Sequence, residues 1–260
     1  MKRFWLGLLL FLFVLPKNVY AADKTSGQYY QDFLQNYHRY QVMIDPLQTQ
    51  KSRHQTYKTV QTQIEYLNSA KNFTQGEINA ITAYSLFVKT ILAEATKVLN
   101  YEEAYPYLML DDELSFLSVA GEKLNNINSL ADLQNLLTET AFHYKKISDL
   151  GLQVKSIIEV SSAKKNLENI KTEIDKLELL SQSELDPAKA AVAKENLISL
   201  RGEFSKAEDL IMQAESKIKN NTKSTEYRRL SGEIRKAVDD AVVLLTKVVL
   251  GCKNIISSLK

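Results

Sequence analysis

Residues 160–177, VSSAKKNLENIKTEIDKL, and residues 193–218, AKENLISLRGEFSKAEDLIMQAESKI, decide the fold. In the first, Val160, Ala163, Leu167, Ile170, Ile174 and Leu177 recur at spacings of 3, 4, 3, 4 and 3. In the second, Ala193, Leu197, Leu200, Phe204, Ala207, Ile211, Ala214 and Ile218 recur at 4, 3, 4, 3, 4, 3 and 4. A repeat averaging 3.5 residues keeps one stripe of a helix against a partner, which is the a/d seam of a left-handed coiled coil. The two stripes are joined through 181–187, where Asp186 reads as an N-cap and Pro187 as the first helical residue, a position that needs no N–H. The expectation is an antiparallel hairpin over 153–219, with Ala207 and Ala214 letting the helices approach closely.

Working outward, residues from about 130 continue the same pattern upstream through Leu133, Leu137, Tyr144, Ile147, Leu150, Val154 and Ile157. Gly151 interrupts it at a cost of about 1 kcal/mol relative to alanine, which predicts a kink or a close helix crossing there. Downstream, 225–259 aligns Tyr227, Leu230, Ile234, Ala237, Ala241, Leu244, Val248 and Ile255. Its stretch Ala241 to Leu250 is apolar on nearly every side, which predicts a helix packed centrally; the stretch is too short to span a bilayer.

The first half reads as four shorter helices. Residues 26–44 align Tyr30, Phe33, Tyr37, Tyr40 and Ile44; 47–70 align Tyr57, Val60, Ile64 and Leu67. Residues 75–103 align Ile78, Ile81, Val88, Ile91, Leu92, Val98 and Leu99, and 109–124 follow. Asp45-Pro46 reads as another cap and first-turn proline, Tyr105-Pro106 as a helix end, and Thr74-x-x-Glu77 and Ser129-x-x-Asp132 as capping boxes. No segment alternates with period two, and only 8 glycines and 4 prolines punctuate 260 residues. The expected fold is all-α: an elongated helical bundle of about six helices containing the antiparallel coiled-coil hairpin. An N-terminal helical region would run over 22–128, and the hairpin plus a C-terminal helix over 129–260.

The first residues set the expected compartment. Lys2 and Arg3 precede an apolar run, Phe4 to Leu15, and Pro16 ends it, the order of a secretory signal peptide. Those positions rise only about 18 Å as a helix against roughly 30 Å of hydrocarbon, so cleavage is favoured over a permanent tether. Val19 and Ala21 fit the small-residue rule for a cut after Ala21, making 1–21 the signal peptide. The protein is then exported, to the cell envelope or beyond, and touches the membrane only if the segment stays uncleaved. Removing 1–21 takes away Lys2, Arg3 and Lys17, so 33 basic residues fall to 30 against 31 acidic ones. A near-neutral chain lacks the concentrated basic face of a nucleic-acid binder. The excess of 8 basic over 4 acidic residues across 223–260 reads as a solvated helix face. The single cysteine, Cys252, allows no internal disulfide and reads as a small apolar residue in a packed helix, with pairing between chains left open.

Chemical motifs are sparse. Glu139 and His143 share a helix face, yet two ligands make no metal site and Glu-x-x-His is absent. The run Asp111-Asp112-Glu113 reads as carboxylates at the positive end of a helix. No Gly-x-Ser-x-Gly or Ser-x-x-Lys accompanies a plausible base and no phosphate-binding glycine loop occurs, so no enzyme, no cofactor and no metal is expected. Tyr30, Phe33, Tyr37, Tyr40 and Tyr57 form an aromatic stripe that reads first as core, with an interaction surface as the alternative.

The stretch 29–70, YYQDFLQNYHRYQVMIDPLQTQKSRHQTYKTVQTQIEYLNSA, resembles the opening of uncharacterised exported all-helical proteins of candidate-phylum bacteria, where a tyrosine-rich helix leads into a Lys, Thr and Gln-rich one. The resemblance implies export and an all-helical fold, and carries no activity. The leading functional expectation is a non-catalytic scaffold, adaptor or envelope spacer that binds a protein partner or a second copy through uncovered helical seams. The alternative is an extracytoplasmic sensor holding a small ligand near the tyrosine-rich helices.

Overall fold

The computed structural model describes residues 24–99, 105–183, 186–220 and 227–259. Proposals about residues 1–21, and the alignment of Val98 and Leu99, lie outside what it describes. The helices are α1 (Ser26–Val42), α2 (Ile44–Tyr57), α3 (Val60–Leu99), α4 (Tyr105–Asn125), α5 (Leu130–Gln182), α6 (Pro187–Asn220) and α7 (Tyr227–Leu259). The described residues contain no strand, and the fold is an all-α bundle. Only Met43 separates α1 from α2, and the bend fits over Gly76 of α3, where a β-carbon would lie 2.9 Å from the Met43 sulfur.

The spine is α5, whose 53 residues extend roughly 80 Å at 1.5 Å per residue. Its C-terminal part packs with α6 and α7, and all three contact one another. Every residue expected on the hairpin seam between Val160 and Ile218 is buried except Ile170 and Leu200, which are half-buried, as are Leu137 and Tyr144 upstream on α5. Lys164 reaches Glu215 at 2.9 Å and Arg201 reaches Asp175 at 3.0 Å, pairings that only antiparallel helices allow. The hairpin is therefore real, but it is two sides of a three-helix coil, because α7 lies on it. The α7 face is Tyr227, Ser231, Ile234, Val238, Ala241, Leu245, Val248, Cys252 and Ile255, all buried and spaced alternately by four and three.

That face corrects two expectations. Leu230, Ala237 and Leu244 flank the buried row instead of forming it, because the residues one position further along point at α5 and α6. Nor is α7 central. Its outer side exposes Val242, Val243, Val249, Leu250 and Ile256, so an all-round apolar stretch here means one face in the core and another in solvent. By length and composition alone, Tyr227–Ser258 would also pass for a membrane span.

In the N-terminal half, α3, α4 and the start of α5 run antiparallel to their neighbours. Lys71 donates to the Ile127 carbonyl at 2.9 Å, and Lys123 reaches Glu139 at 3.2 Å. The bent pair α1 and α2 lies along α3, tied at one end by Ser26, whose N–H and hydroxyl both donate to Glu94, at 2.9 and 2.6 Å. Two buried clusters result, one around Leu117, Leu124 and Ile147, the other around Ile157, Ile211 and Ile234, and α5 contributes to both.

Helix ends separate the sound expectations from the others. Ser129 accepts from the Asp132 N–H at 3.1 Å and Asp186 accepts from the Ala188 N–H at 2.9 Å, so both are caps as read. Thr74 is not: it lies buried inside α3, where its hydroxyl donates to the Ala70 carbonyl at 2.9 Å. The chain instead breaks at Lys58, which takes a left-handed conformation (φ 50°), and Thr59 and Thr62 cap the start of α3 reciprocally. Tyr57, Val60 and Ile64 consequently belong to two helices, and all three are exposed. Met43, not Asp45, precedes α2, and Tyr105-Pro106 opens α4 instead of ending a helix. Asp111 thus falls beyond the first turn of α4, where the dipole no longer acts.

Candidate functional site

The acidic run of α4 holds helices together. Glu113 is buried and meets two side chains of α5: His143 Nδ1 lies 2.7 Å away and Lys146 Nζ 2.6 Å. His143 also stacks on Phe116, with ring centroids 3.4 Å apart. Asp111 pairs with Lys89 of α3. The expected Glu139 and His143 pair does not form, since Glu139 turns to Lys123 and His143 to Glu113. No cluster of three or more metal-ligating side chains occurs among the described residues. Cys252 is buried against the three-helix core, and burial pushes its thiol above the ordinary range, which suits packing and not reactivity.

The tyrosine stripe behaves differently from a core face. No residue of α1 is buried: Tyr30 and Tyr37 are 41% and 43% exposed, and Phe33 and Tyr40 are half-buried. Tyr57, at 66% exposure on α2, is not part of the stripe. The reason is topological. Helix α1 lies on α3, and so does α5, but α1 and α5 do not pack on each other. Rings on the inner side of α1 therefore meet α3 alone. Tyr30 meets Phe87 at 5.1 Å between centroids, Phe33 meets Tyr84 at 5.5 Å, and Tyr40 meets Phe73 at 4.8 Å.

Between α1 and α5 this leaves a cleft of about 320 Å³ with α3 as its floor. From α1 come Phe33, Tyr37 and Tyr40; from α3, Glu77, Ala80, Ile81 and Tyr84; from α5, Tyr144, Ile147 and Ser148. Ligand pockets begin at about this volume and combine mostly apolar walls with a few polar groups. Here the polar groups Glu77, Tyr84, Tyr144 and Ser148 are half-buried. The Tyr144 hydroxyl oxygen is sealed from solvent, and burial, then the nearby Glu77 carboxylate, pushes its pKa up against an opposing contact with the Thr140 hydroxyl. Burial likewise raises Glu77 and Tyr84, and raises Tyr40 with help from Glu77.

Gly151 shapes the back of this cleft. A β-carbon at that position would lie 2.2 Å from the Tyr84 hydroxyl oxygen, so the glycine is what admits the Tyr84 ring between α3 and α5. The close crossing expected at Gly151 is thus present and has a consequence for the cleft wall. Sequence reading found Phe33, Tyr37 and Tyr40 but missed Glu77, Tyr84 and Tyr144. Glu77 was assigned to a capping box that does not exist, and Tyr144 was counted as an ordinary seam residue. A second groove, on the other side of α1, is lined by Asn36, Arg39, Asn72, Gln75 and Asn79 and contains about 520 Å³.

Compared with protein-family models, with curated proteins and with solved structures, the chain matches none of them.

Proposed function

We propose that the chain is an exported, non-catalytic binding protein whose cleft between α1 and α5 takes a small ligand. The observation that carries this reading is the cleft itself, about 320 Å³ with aromatic walls, set between two helices that do not pack on each other. The Glu77 carboxyl in its wall supports it, because a carboxylate partly withdrawn from water without an ion pair is costly unless something completes its contacts. Native mass spectrometry of the full chain recovered from its own cells tests the reading. A non-covalent adduct is expected, and Ser148→Trp, which fills the cleft from α5, should abolish it. A chain free of adducts, or an adduct indifferent to Ser148→Trp, rejects the proposal.

The scaffold reading loses its original premise, since the hairpin seam is covered by α7 of the same chain. A different feature supports it. The outer face of α7 repeats at seven residues, Val242, Val249 and Ile256 in one row and Val243 and Leu250 beside it, all exposed. Such rows would suit the α7 of a second copy. Sedimentation velocity should then show a dimer that Val243→Lys with Leu250→Glu converts to a monomer. A parent chain that sediments as a monomer at all concentrations rejects self-association through this face.

A further inference from the structure

We propose that the ligand of this cleft is a small organic cation, an ammonium group on an apolar body, held by the Glu77 carboxylate among the rings of Phe33, Tyr37, Tyr40, Tyr84 and Tyr144. The inference rests on the ligand-binding reading above and adds the chemical class of the ligand.

Charge is the first argument. Glu113, a buried carboxylate of this half, has the Lys146 ammonium and the His143 ring within 2.7 Å. Glu77 has no ion pair among the described residues, and no lysine, arginine or histidine lines the cleft. Its carboxyl is raised by burial alone, with no cation acting to lower it. A carboxylate partly withdrawn from water and left without a counter-ion is stabilised by an incoming cation. It penalises an incoming anion and stays uncompensated beside a neutral ligand.

Ring placement is the second argument, and it is independent of the first. Phe33 stands 5.8 Å from Tyr37 and 5.5 Å from Tyr84, and Tyr37 stands 6.2 Å from Tyr40, centroid to centroid. Phe33, Tyr37 and Tyr40 thus line one wall and Tyr84 the floor, while Tyr144 closes the opposite wall from α5. An aromatic face attracts a cation within about 6 Å of its centroid, and several faces around one carboxylate form the arrangement that recognises ammonium groups. The titratable groups facing Glu77 are Tyr37 and Tyr40 from α1, Tyr84 on its own helix and Tyr144 from α5, all neutral at pH 7 in ordinary conditions.

The test uses the full chain and two probes of nearly identical shape: choline, and 3,3-dimethylbutan-1-ol, in which a carbon replaces the charged nitrogen. Isothermal titration should show choline binding at least about tenfold more tightly than the neutral alcohol, with Glu77→Gln removing that preference. Glu77→Gln should also melt no lower than the parent at pH 7, because it removes a carboxylate that burial disfavours, so lost binding would not reflect unfolding. Equal binding of both probes, indifferent to Glu77→Gln, overturns the cation assignment and leaves a ligand-binding cleft. Binding of neither probe also overturns it. The adduct measurement then decides the broader reading separately: a neutral or acidic adduct lost in Ser148→Trp keeps the cleft as a binding site, and the absence of any adduct ends both.

Discussion

Ile234→Ala lowers the free energy of unfolding by roughly 3 kcal/mol, whereas Ile198→Ala changes it by no more than about 0.5 kcal/mol. Both are isoleucines on coil helices. Ile234 has no exposed surface, lying on α7 against α5 and α6, while Ile198 on α6 is 65% exposed. Truncating the first removes buried methyl and methylene groups from a close-packed interior and leaves a cavity; truncating the second leaves only solvent. Urea denaturation reads the difference as a lower midpoint for Ile234→Ala at an unchanged slope. The pair also tests the architecture. If α5 and α6 formed a self-sufficient hairpin with α7 loosely attached, the α7 substitution would cost no more than the surface one.

The second large effect concerns Glu113. Replacing His143 by Phe and Lys146 by Met together removes both polar partners of Glu113 and keeps the apolar packing, including the stack on Phe116. Glu113, 1% exposed, is then a buried carboxylate without a partner, and the chain should lose roughly 3–5 kcal/mol. Adding Glu113→Leu to that double variant should restore much of the loss, since an apolar residue of similar volume removes the uncompensated charge. Thermal unfolding of the parent, the double and the triple variant checks the sign. A double variant as stable as the parent would mean that water already reaches Glu113.

These two cases show where sequence reading succeeds. The a/d rows of α5 and α6 are legible because every member sits within a few residues of the next, and burial of a heptad row depends on local helical geometry. The caps at Ser129 and Asp186 are legible for the same reason: each bond closes over two or three residues. The Thr74 box fails although its spacing is correct, because a threonine inside a helix satisfies its hydroxyl equally well on the carbonyl four residues back. The real break, at Lys58, offers neither glycine nor asparagine to signal a left-handed cap, and only the Thr59-x-x-Thr62 pair marks it.

The candidate site was half legible. Phe33, Tyr37 and Tyr40 stand on one face of α1 whatever that face meets, so periodicity finds them. Whether the face is core, open surface or cleft wall depends on the spacing between α1 and α5, whose cleft residues Tyr40 and Tyr144 are more than a hundred residues apart in the chain. Glu77 and Glu113 make the point more sharply, since nothing local distinguishes a carboxylate that meets a lysine and a histidine from one that meets no such partner.

By itself the sequence determined that the chain is helical, where the coiled-coil rows run, and which helix carries the aromatic stripe. These are properties of short-range periodicity, set by 3.6 residues per turn and by side-chain chemistry. The tertiary structure alone decided that α7 completes a three-helix coil with one face left in solvent, that Gly151 admits Tyr84, and that α1 and α5 stand apart over α3. Each of those depends on which helices share a neighbour, a long-range outcome of packing that no window of sequence contains.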